Sequence, residues 1–309
     1  MTLRVYSAAE VHAALPWSGL AAALEAAFVA GDVEAPVRHA HPLPGDGTLL
    51  LMPAWSPAAM GVKIVTVMPG AAAAGASTVQ ASVLLLDRVT GAARALVDGE
   101  ALTLRRTAAT SALAARRLAR PDAATLLLVG TGHLAPWMAR AHLALLPQLR
   151  RVLVWGRRPE AAVELARRLA DEGHDARPCA ELRAGVAMAD LVCCATTSRE
   201  PLVHGSWLQP GQHLDLVGGF RRDMREVDDA AVARSRVVVD TWGGALAEAG
   251  DLVQPIERGV VAREHIAADL AQLLRGERAG RQDATQVTLF KSVGAALEDL
   301  VAARLVAGG

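Results

Sequence analysis

Residues 129–146, VGTGHLAPWMARAHLALL, join a short apolar run to a pattern with helical spacing. Gly130, Gly132 and Ala135 have the spacing G-x-G-x-x-A, in which the glycines allow a tight turn and close approach to a pyrophosphate, and the alanine allows close helix packing. The first N–H groups of a helix attract phosphate. This stretch therefore predicts the phosphate loop of a dinucleotide site. The loop residues predicted to bind the cofactor are Gly130, Thr131, Gly132, His133, Leu134 and Ala135.

The next apolar run, RVLVWG, ends in Gly156-Arg157-Arg158. NAD enzymes usually have a carboxylate here for the ribose hydroxyls, whereas guanidinium groups suit a 2′-phosphate. We therefore expect NADPH, with NADH as a weaker cofactor. The alternative is that one or both arginines are solvated charges at a helix start. Thr196 and Thr197 follow a third buried strand, at the edge where such sheets bind ligands.

Strands and helices alternate from about residue 122 to residue 283, and the strands are short and uniformly apolar, as in parallel sheets covered on both faces. We predict an α/β fold with a doubly wound parallel sheet. The first hundred residues instead predict two helices capped by Ser7 and Ser18, then successive strands with a hairpin at RVTG. This part is expected to form an antiparallel or mixed sheet.

The composition excludes several classes of protein. Acidic and basic residues balance at 32 each, so no nucleic-acid or membrane-surface partner is expected. No apolar run approaches the ~18 residues of a spanning helix, and the N-terminus has no apolar signal core. Three cysteines without metal-ligand spacing favour a reducing, cytoplasmic location and no metal site.

Lys63 is one of two lysines in the chain and interrupts the apolar strand GVKIV. A lysine in such a position either extends from a strand edge or points into a site. The residues alone leave both readings open.

Several stretches resemble, in order and spacing, the ornithine cyclodeaminase/mu-crystallin family, above all LTLRRTAATSA and LFKSVGAALEDL. The resemblance implies a substrate-binding and dimerisation domain, residues 1–112 plus 290–309, and a Rossmann domain, residues 113–289. It also implies a homodimer whose N-terminal sheets pair, and a small amino or imino acid bound by its carboxylate.

The family's substrate-binding positions correspond to Arg38, Lys63 and Arg106, and the last two are the expected catalytic residues. Cations at these positions suit the chemistry, because a carboxylate is costly to bury unless cations pair with it. Thr78 matches a position that lines the active site. The remaining positions implied to bind cofactor, near the nicotinamide, are Gly218, Ser292 and Val293, although Ser292 could instead cap a helix.

One position departs from the cyclodeaminases, which carry an aspartate just after the paired glycines of VGG, where this chain has Phe220. Phenylalanine cannot take a proton or bind an ammonium group by charge, so cyclodeamination of ornithine is doubtful. Phe220 is instead expected to bind the substrate by supplying an apolar wall beside its ring. The segment resembles instead the ketimine reductases of pyrroline-2-carboxylate and piperideine-2-carboxylate. Asp223 is expected in a solvated turn, and Asp215 has no assigned role.

The alternatives are an NAD-dependent ornithine cyclodeaminase, an alanine-type amino acid dehydrogenase, and a small-ligand binding protein like mu-crystallin. Phe220 counts against the first, and the arginine pair counts against NAD. The glycine loop, Lys63 and Arg106 favour an enzyme over a binding protein.

Overall fold

The computed structural model describes residues 3–75 and 77–308 and divides the chain into two compact units. Unit 1 comprises Met1–Thr107 and Gly294–Gly309, and unit 2 comprises Ala108–Val293. The boundaries drawn from the sequence, 112/113 and 289/290, differ from these by a few residues. The first observed boundary lies inside a helix, Gly99–Leu118, so no loop marks it in the sequence, whereas the second lies in the short loop between Lys291 and Ala296.

The described residues form fourteen strands and eleven α-helices, with three short 3₁₀ turns at Pro69–Ala74, Gly205–Trp207 and Arg263–His265. The strands are β1 (Arg4–Tyr6), β2 (His39–Leu43), β3 (Gly47–Trp55), β4 (Met60–Val67), β5 (Val79–Leu86), β6 (Ala93–Asp98), β7 (Thr125–Val129), β8 (Arg151–Trp155), β9 (Asp175–Pro178), β10 (Leu191–Cys194), β11 (His213–Leu216), β12 (Ser235–Val239), β13 (Ile266–Asp269) and β14 (Val287–Lys291). The helices are α1 (Ala8–Ala14), α2 (Trp17–Ala30), α3 (Gly99–Leu118), α4 (Ala135–Leu145), α5 (Pro159–Asp171), α6 (Leu182–Met188), α7 (Asp229–Arg234), α8 (Trp242–Glu248), α9 (Gly250–Glu257), α10 (Leu270–Leu274) and α11 (Ala296–Val306).

Unit 1 is built on a six-stranded sheet with the order β1-β6-β5-β4-β3-β2. All neighbours are antiparallel except β1 and β6, so the predicted mixed sheet is confirmed. The predicted hairpin joins β5 to β6, and Asp87 stabilises its turn by accepting the N–H groups of Val89 and Thr90. Helix α11 packs on β3, β4 and β5 and against α2. The C-terminal helix thus covers the sheet of the N-terminal unit.

The helical prediction for unit 1 was right for α1 and partly wrong for α2. Ser7 caps α1 with a capping box, as expected. Ser18, however, does not cap α2, which begins at Trp17 after Pro16, because proline suits a helix start without a side-chain cap. No single helix among the described residues is long and apolar enough to cross a membrane. The pair α1 and α2, bent by 77°, meets that criterion jointly, on length and composition alone.

Unit 2 contains an eight-stranded sheet with the order β13-β12-β14-β11-β10-β7-β8-β9, and every neighbouring pair is parallel. The strand order reverses between β7 and β10, so the predicted doubly wound fold is confirmed. Strand β14 lies between β11 and β12, inside this sheet. The domain boundary predicted at 289/290 therefore cuts through a strand, and unit 2 keeps the whole of β14.

Asp215, which the sequence left without a role, lies fully buried on β11 and faces His142 of α4. His142 Nδ1 donates to the Met138 carbonyl at 2.8 Å, while Nε2 lies 3.3 Å from Asp215 Oδ2. Burial raises the pKa of Asp215, but the neighbouring side chains of His142, His213 and Ser111 outweigh it and hold the pKa below its usual value. A buried contact between an imidazole and a carboxylate thus links α4 to the sheet.

The thiol of Cys193 lies close to the same pair, and the possible ligand atoms of the three residues are within 4.8 Å of one another. A metal would need the thiolate form of cysteine. Burial and the charge of Asp215 instead raise the pKa of Cys193 well above its usual value. The contact between His142 and Asp215 therefore explains why these polar side chains lie close together beside Cys193.

We expect Asp215→Asn to destabilise unit 2, because it removes the charge that faces the buried imidazole. Loss of one partner of a buried pair costs about 3 kcal/mol, which urea unfolding followed by circular dichroism would measure. Asp175→Asn is the control, since Asp175 pairs with Arg177 on an exposed edge strand, and its unfolding midpoint should hardly change. Equal midpoints for the two variants would show that the buried pair does not stabilise the fold.

Candidate active site

Lys63 lies on the buried face of β4, where alternate residues point inward. Its side chain is almost fully buried, and Nζ lies 2.9 Å from Asp299 Oδ1 and 2.8 Å from Oδ2. Asp299 is in the first turn of α11. Of the two readings left open by the sequence, the structure thus rules out a lysine extending from an exposed edge.

Arg106 lies on α3 and meets the same helix turn. Its Nε donates to Asp299 Oδ1 at 2.9 Å, and Nη1 donates to Glu298 Oε2 at 2.7 Å. Glu298 also accepts the N–H of Ala295 and so stabilises the start of α11. All three charged side chains are buried, as their pairing requires.

Arg38 completes the group of cations in unit 1. It is half-buried and donates from Nη2 to the Gly294 carbonyl at 3.0 Å. Gly294 has φ +81°, and a Cβ there would contact Arg106 Nη1 and Nη2. The three predicted cations, Arg38, Lys63 and Arg106, therefore all converge on residues 294–299.

Burial and the neighbouring charges shift the pKa values of Lys63 and Arg106 in opposite directions. Burial and the neighbouring charge of Arg106 lower the pKa of Lys63 to about 8, against the opposing effect of Asp299. Burial would also lower the pKa of Arg106, but Asp299 and Glu298 outweigh it and raise the pKa above its usual value. Within the cluster, Lys63 and Arg106 share the carboxylate of Asp299.

Thr78 and Phe220 belong to different units and are both exposed. Thr78 directly precedes β5, and its carbonyl accepts the N–H of Met68 at 2.7 Å. Phe220 follows β11 and is 39% exposed. Asp223 is exposed as expected and pairs with Arg221.

The glycine loop of unit 2 has the geometry of a phosphate site. Gly130 has φ +122°, and a Cβ there would lie 2.5 Å from the Ala195 carbonyl oxygen. A Cβ on Gly132, by contrast, would have no protein atom within 4 Å, so the loop is open where a pyrophosphate would lie. Ala135 begins α4 and is fully buried. These residues fit a dinucleotide.

A cavity of about 550 Å³ opens beside this loop. It brings together most of the predicted cofactor residues of unit 2, namely Gly130, Thr131, Gly132, Arg157, Arg158, Thr196 and Thr197. Both arginines are exposed side chains of the lining, and no carboxylate is among the lining residues described. Of the other predicted loop residues, His133 is exposed and Leu134 is half-buried.

Ser292 and Val293 are held by a carboxylate that the sequence analysis missed. Asp240 accepts the Ser292 hydroxyl at 3.2 Å and the Val293 N–H at 2.8 Å. Ser292 is not a helix cap, because the residue before α11 is Ala295. Gly218 is buried, and its N–H donates to Glu226 at 2.7 Å.

Sequence reasoning also missed the charged partners of the site. These are Asp240, Glu226, Asp251, Lys291, Glu298 and Asp299, all buried. Lys291 is the second lysine of the chain and ends an apolar strand, so the argument applied to Lys63 would have drawn attention to it as well. No comparable signal marks the carboxylates, because acidic residues are common in helices and loops.

Comparison with known proteins shows the family to which the chain belongs. The model of the ornithine cyclodeaminase/mu-crystallin family matches residues 2–308. A relative from Paracoccus denitrificans, named Delta(1)-pyrroline-2-carboxylate reductase, is 40% identical over 275 residues, which cover 89% of this chain and 87% of the relative.

Solved structures agree with this match. The Delta(1)-pyrroline-2-carboxylate reductase of Thermococcus litoralis, in complex with NADH and L-proline, has a TM-score of 0.92 and 33% identity, covering 99% of this chain and 96% of that one. An archaeal alanine dehydrogenase dimer with bound NAD has a TM-score of 0.93 and 26% identity, covering 99% and 95%. With a family match over nearly its whole length, the chain belongs to the ornithine cyclodeaminase/mu-crystallin family, as its motifs predicted.

Proposed function

We propose that this chain is an NADPH-dependent reductase of cyclic ketimine 2-carboxylates. It would convert pyrroline-2-carboxylate to L-proline and piperideine-2-carboxylate to L-pipecolate. The general reaction class is the same whichever imine is the substrate. The chain is a nicotinamide-dependent oxidoreductase acting on C=N bonds, like its relatives. The observation that carries the proposal is the convergence of Arg38, Lys63 and Arg106 on residues 294–299.

Three cations in one cluster suit a substrate that carries a carboxylate. Lys63 and Arg106 share one carboxylate, that of Asp299, so both can also pair with the carboxylate of a bound substrate. Arg38 and Arg106 are suited to grip it, because a guanidinium binds a carboxylate with paired hydrogen bonds. Fixing the carboxylate fixes the adjacent C=N carbon, so positioning is the main catalytic contribution of these residues.

The glycine loop and the cavity residues would hold the dinucleotide, which would supply the hydride of the reduction when bound. The nitrogen also needs a proton, and Lys63 Nζ is the group in unit 1 suited to hold it. With a pKa of about 8, Lys63 keeps its proton at neutral pH and releases it more easily than an ordinary lysine. Burial of the cluster excludes water from these contacts.

One observation favours NADPH as the cofactor, and another favours a homodimer. NADPH is favoured over NADH because Arg157 and Arg158 line the cavity without a carboxylate. A homodimer is favoured because the structurally similar alanine dehydrogenase is a dimer. Light scattering of the pure protein would test the dimer by its mass.

The first experiment follows the absorbance of NADPH with pyrroline-2-carboxylate, beside NADH with the same imine and ornithine with NAD. We expect rapid loss of NADPH, slower loss of NADH, one L-proline for each NADPH consumed, and no ammonia from ornithine. Ammonia from ornithine would mean that Phe220 does not prevent cyclodeamination. Quenching of NADPH fluorescence without consumption would mean a binding protein instead.

We expect Arg157→Ala to weaken NADPH binding about tenfold, because the 2′-phosphate loses a charge-assisted hydrogen bond. Binding of NADH should be unchanged in a fluorescence titration. Arg167→Ala is the control, since Arg167 is an exposed arginine of α5 paired with Asp171. Equal losses for the two cofactors would contradict the assignment of the 2′-phosphate to Arg157.

We expect kcat/KM to fall as the pH rises through about 8, where Lys63 loses its proton. Asp299→Asn removes the carboxylate that favours the charged form, so the pKa of Lys63 drops further and this alkaline limb moves to lower pH. The exposed Asp32 provides a control in Asp32→Asn. An alkaline limb at the same pH in both variants would exclude Lys63 as its origin.

A further inference from the structure

Glu226 binds two loops that follow neighbouring strands of unit 2. One loop follows β10 and contains Thr196, and the other follows β11 and contains Gly218. Glu226 Oε1 accepts the N–H of Thr196 at 2.7 Å and its hydroxyl at 2.8 Å, while Oε2 accepts the N–H of Gly218 at 2.7 Å. A single, fully buried carboxylate therefore joins the two loops.

The loop that contains Thr196 also packs directly on the phosphate loop. A Cβ on Gly130 would lie 2.5 Å from the Ala195 oxygen and 3.3 Å from Thr196 Cγ2. Thr196 lines the cofactor cavity together with Gly130. The position of this loop thus determines the width of the cavity at the carboxyl end of the sheet.

Two further buried charges hold Glu226 in place. Asp251 Oδ1 accepts the N–H groups of Glu226 at 2.7 Å and Val227 at 3.1 Å. Lys291 Nζ lies 3.5 Å from Asp251 Oδ2 and donates to the Leu216 carbonyl at 3.1 Å. Glu226, Asp251 and Lys291 are all fully buried, and the ammonium group of Lys291 offsets part of the charge of the two carboxylates.

The three donors around Glu226 favour its ionised form. A carboxylate accepts on both oxygens, whereas a protonated carboxyl uses one oxygen as a donor. Burial raises the pKa of Glu226 to about 7, with Lys291 lowering it and Asp251 raising it. The titratable and charged groups around it are Lys291, Asp251, the thiols of Cys193 and Cys194, and the adjacent Arg225, which is paired with Asp229.

We propose that Glu226 is a positioning residue for the cofactor: its carboxylate, held by Asp251 and Lys291, fixes the loops after β10 and β11 for dinucleotide binding. The proposal rests on the dinucleotide site of the proposed function but not on its substrate. When Glu226 gains a proton, one loop N–H loses its acceptor and the cavity wall is released. Cofactor affinity should therefore depend on the protonation of this residue.

The test is the Kd of NADH, measured by fluorescence titration without substrate between about pH 6 and pH 9. A readout of binding alone separates this proposal from the proposed function, which could fail while NADH still binds. The protein should bind NADH roughly tenfold more weakly at the acid end, the value of about one charged hydrogen bond. The same Kd across the whole range would overturn the proposal.

Glu226→Gln should bind NADH weakly at every pH, because the amide NH₂ must face one of three donors. Asp223→Asn is the matched control, since Asp223 is an exposed carboxylate three residues away, and it should retain the pH dependence of the natural protein. A pH dependence that persists in Glu226→Gln would assign the titration to another group and overturn the proposal.

Lys291→Met separates a charge effect from a merely structural one. Without the ammonium group, Glu226 and Asp251 repel each other, so the midpoint of the pH dependence should move to higher pH. Lys291→Arg should restore it. A variant that binds more weakly at all pH values, with an unmoved midpoint, would contradict the role given to the buried charges. If Lys291→Met does not fold, the titrations of the natural protein and of Glu226→Gln still decide.

Discussion

The cost of burying Lys63 and Arg106 shapes unit 1. Neither Lys63 on the inner face of β4 nor Arg106 on α3 could be buried in its charged form without a partner, because removal of a charge from water is expensive. The partners come from α11, which carries Glu298 and Asp299 across a separation of 236 residues from Lys63. The C-terminal segment therefore belongs to unit 1. In the sequence, unit 2, which contains the glycine loop, is inserted between the two segments of unit 1.

Unit 2 uses a buried lysine in a related way. Lys291 ends β14 and lies beside Asp251, which in turn holds the backbone of Glu226. Both lysines of the chain thus lie in buried clusters with carboxylates, whereas every other basic side chain outside histidine is an arginine. An ammonium group is a compact point charge on a flexible stem, so it can lie beside a carboxylate beneath a loop.

The local parts of this arrangement could be predicted from the sequence, and the long-range parts could not. The glycine loop, the hairpin at RVTG and the parallel strands each follow from neighbouring residues, and the structure has all of them. Strands β1, β2, β9 and β13 were missed because they are short, and β2 is exposed, interrupted by Pro42 and without apolar alternation. The charge partners were missed because no residue pattern links Lys63 to Asp299.

Arg106 both joins two helices and, in the proposed function, binds the substrate carboxylate, and an arginine suits both roles. Its Nε and Nη1 already donate to Asp299 and Glu298, which joins α3 to α11. A guanidinium has further N–H groups in a fixed fork beyond those two, so it can serve the fold and still reach a third acceptor. A lysine could also make three hydrogen bonds, but from a single atom, and it could not span two carboxylates and a ligand in one plane. Arg106 can therefore join α3 to α11 and still take part in binding a carboxylate.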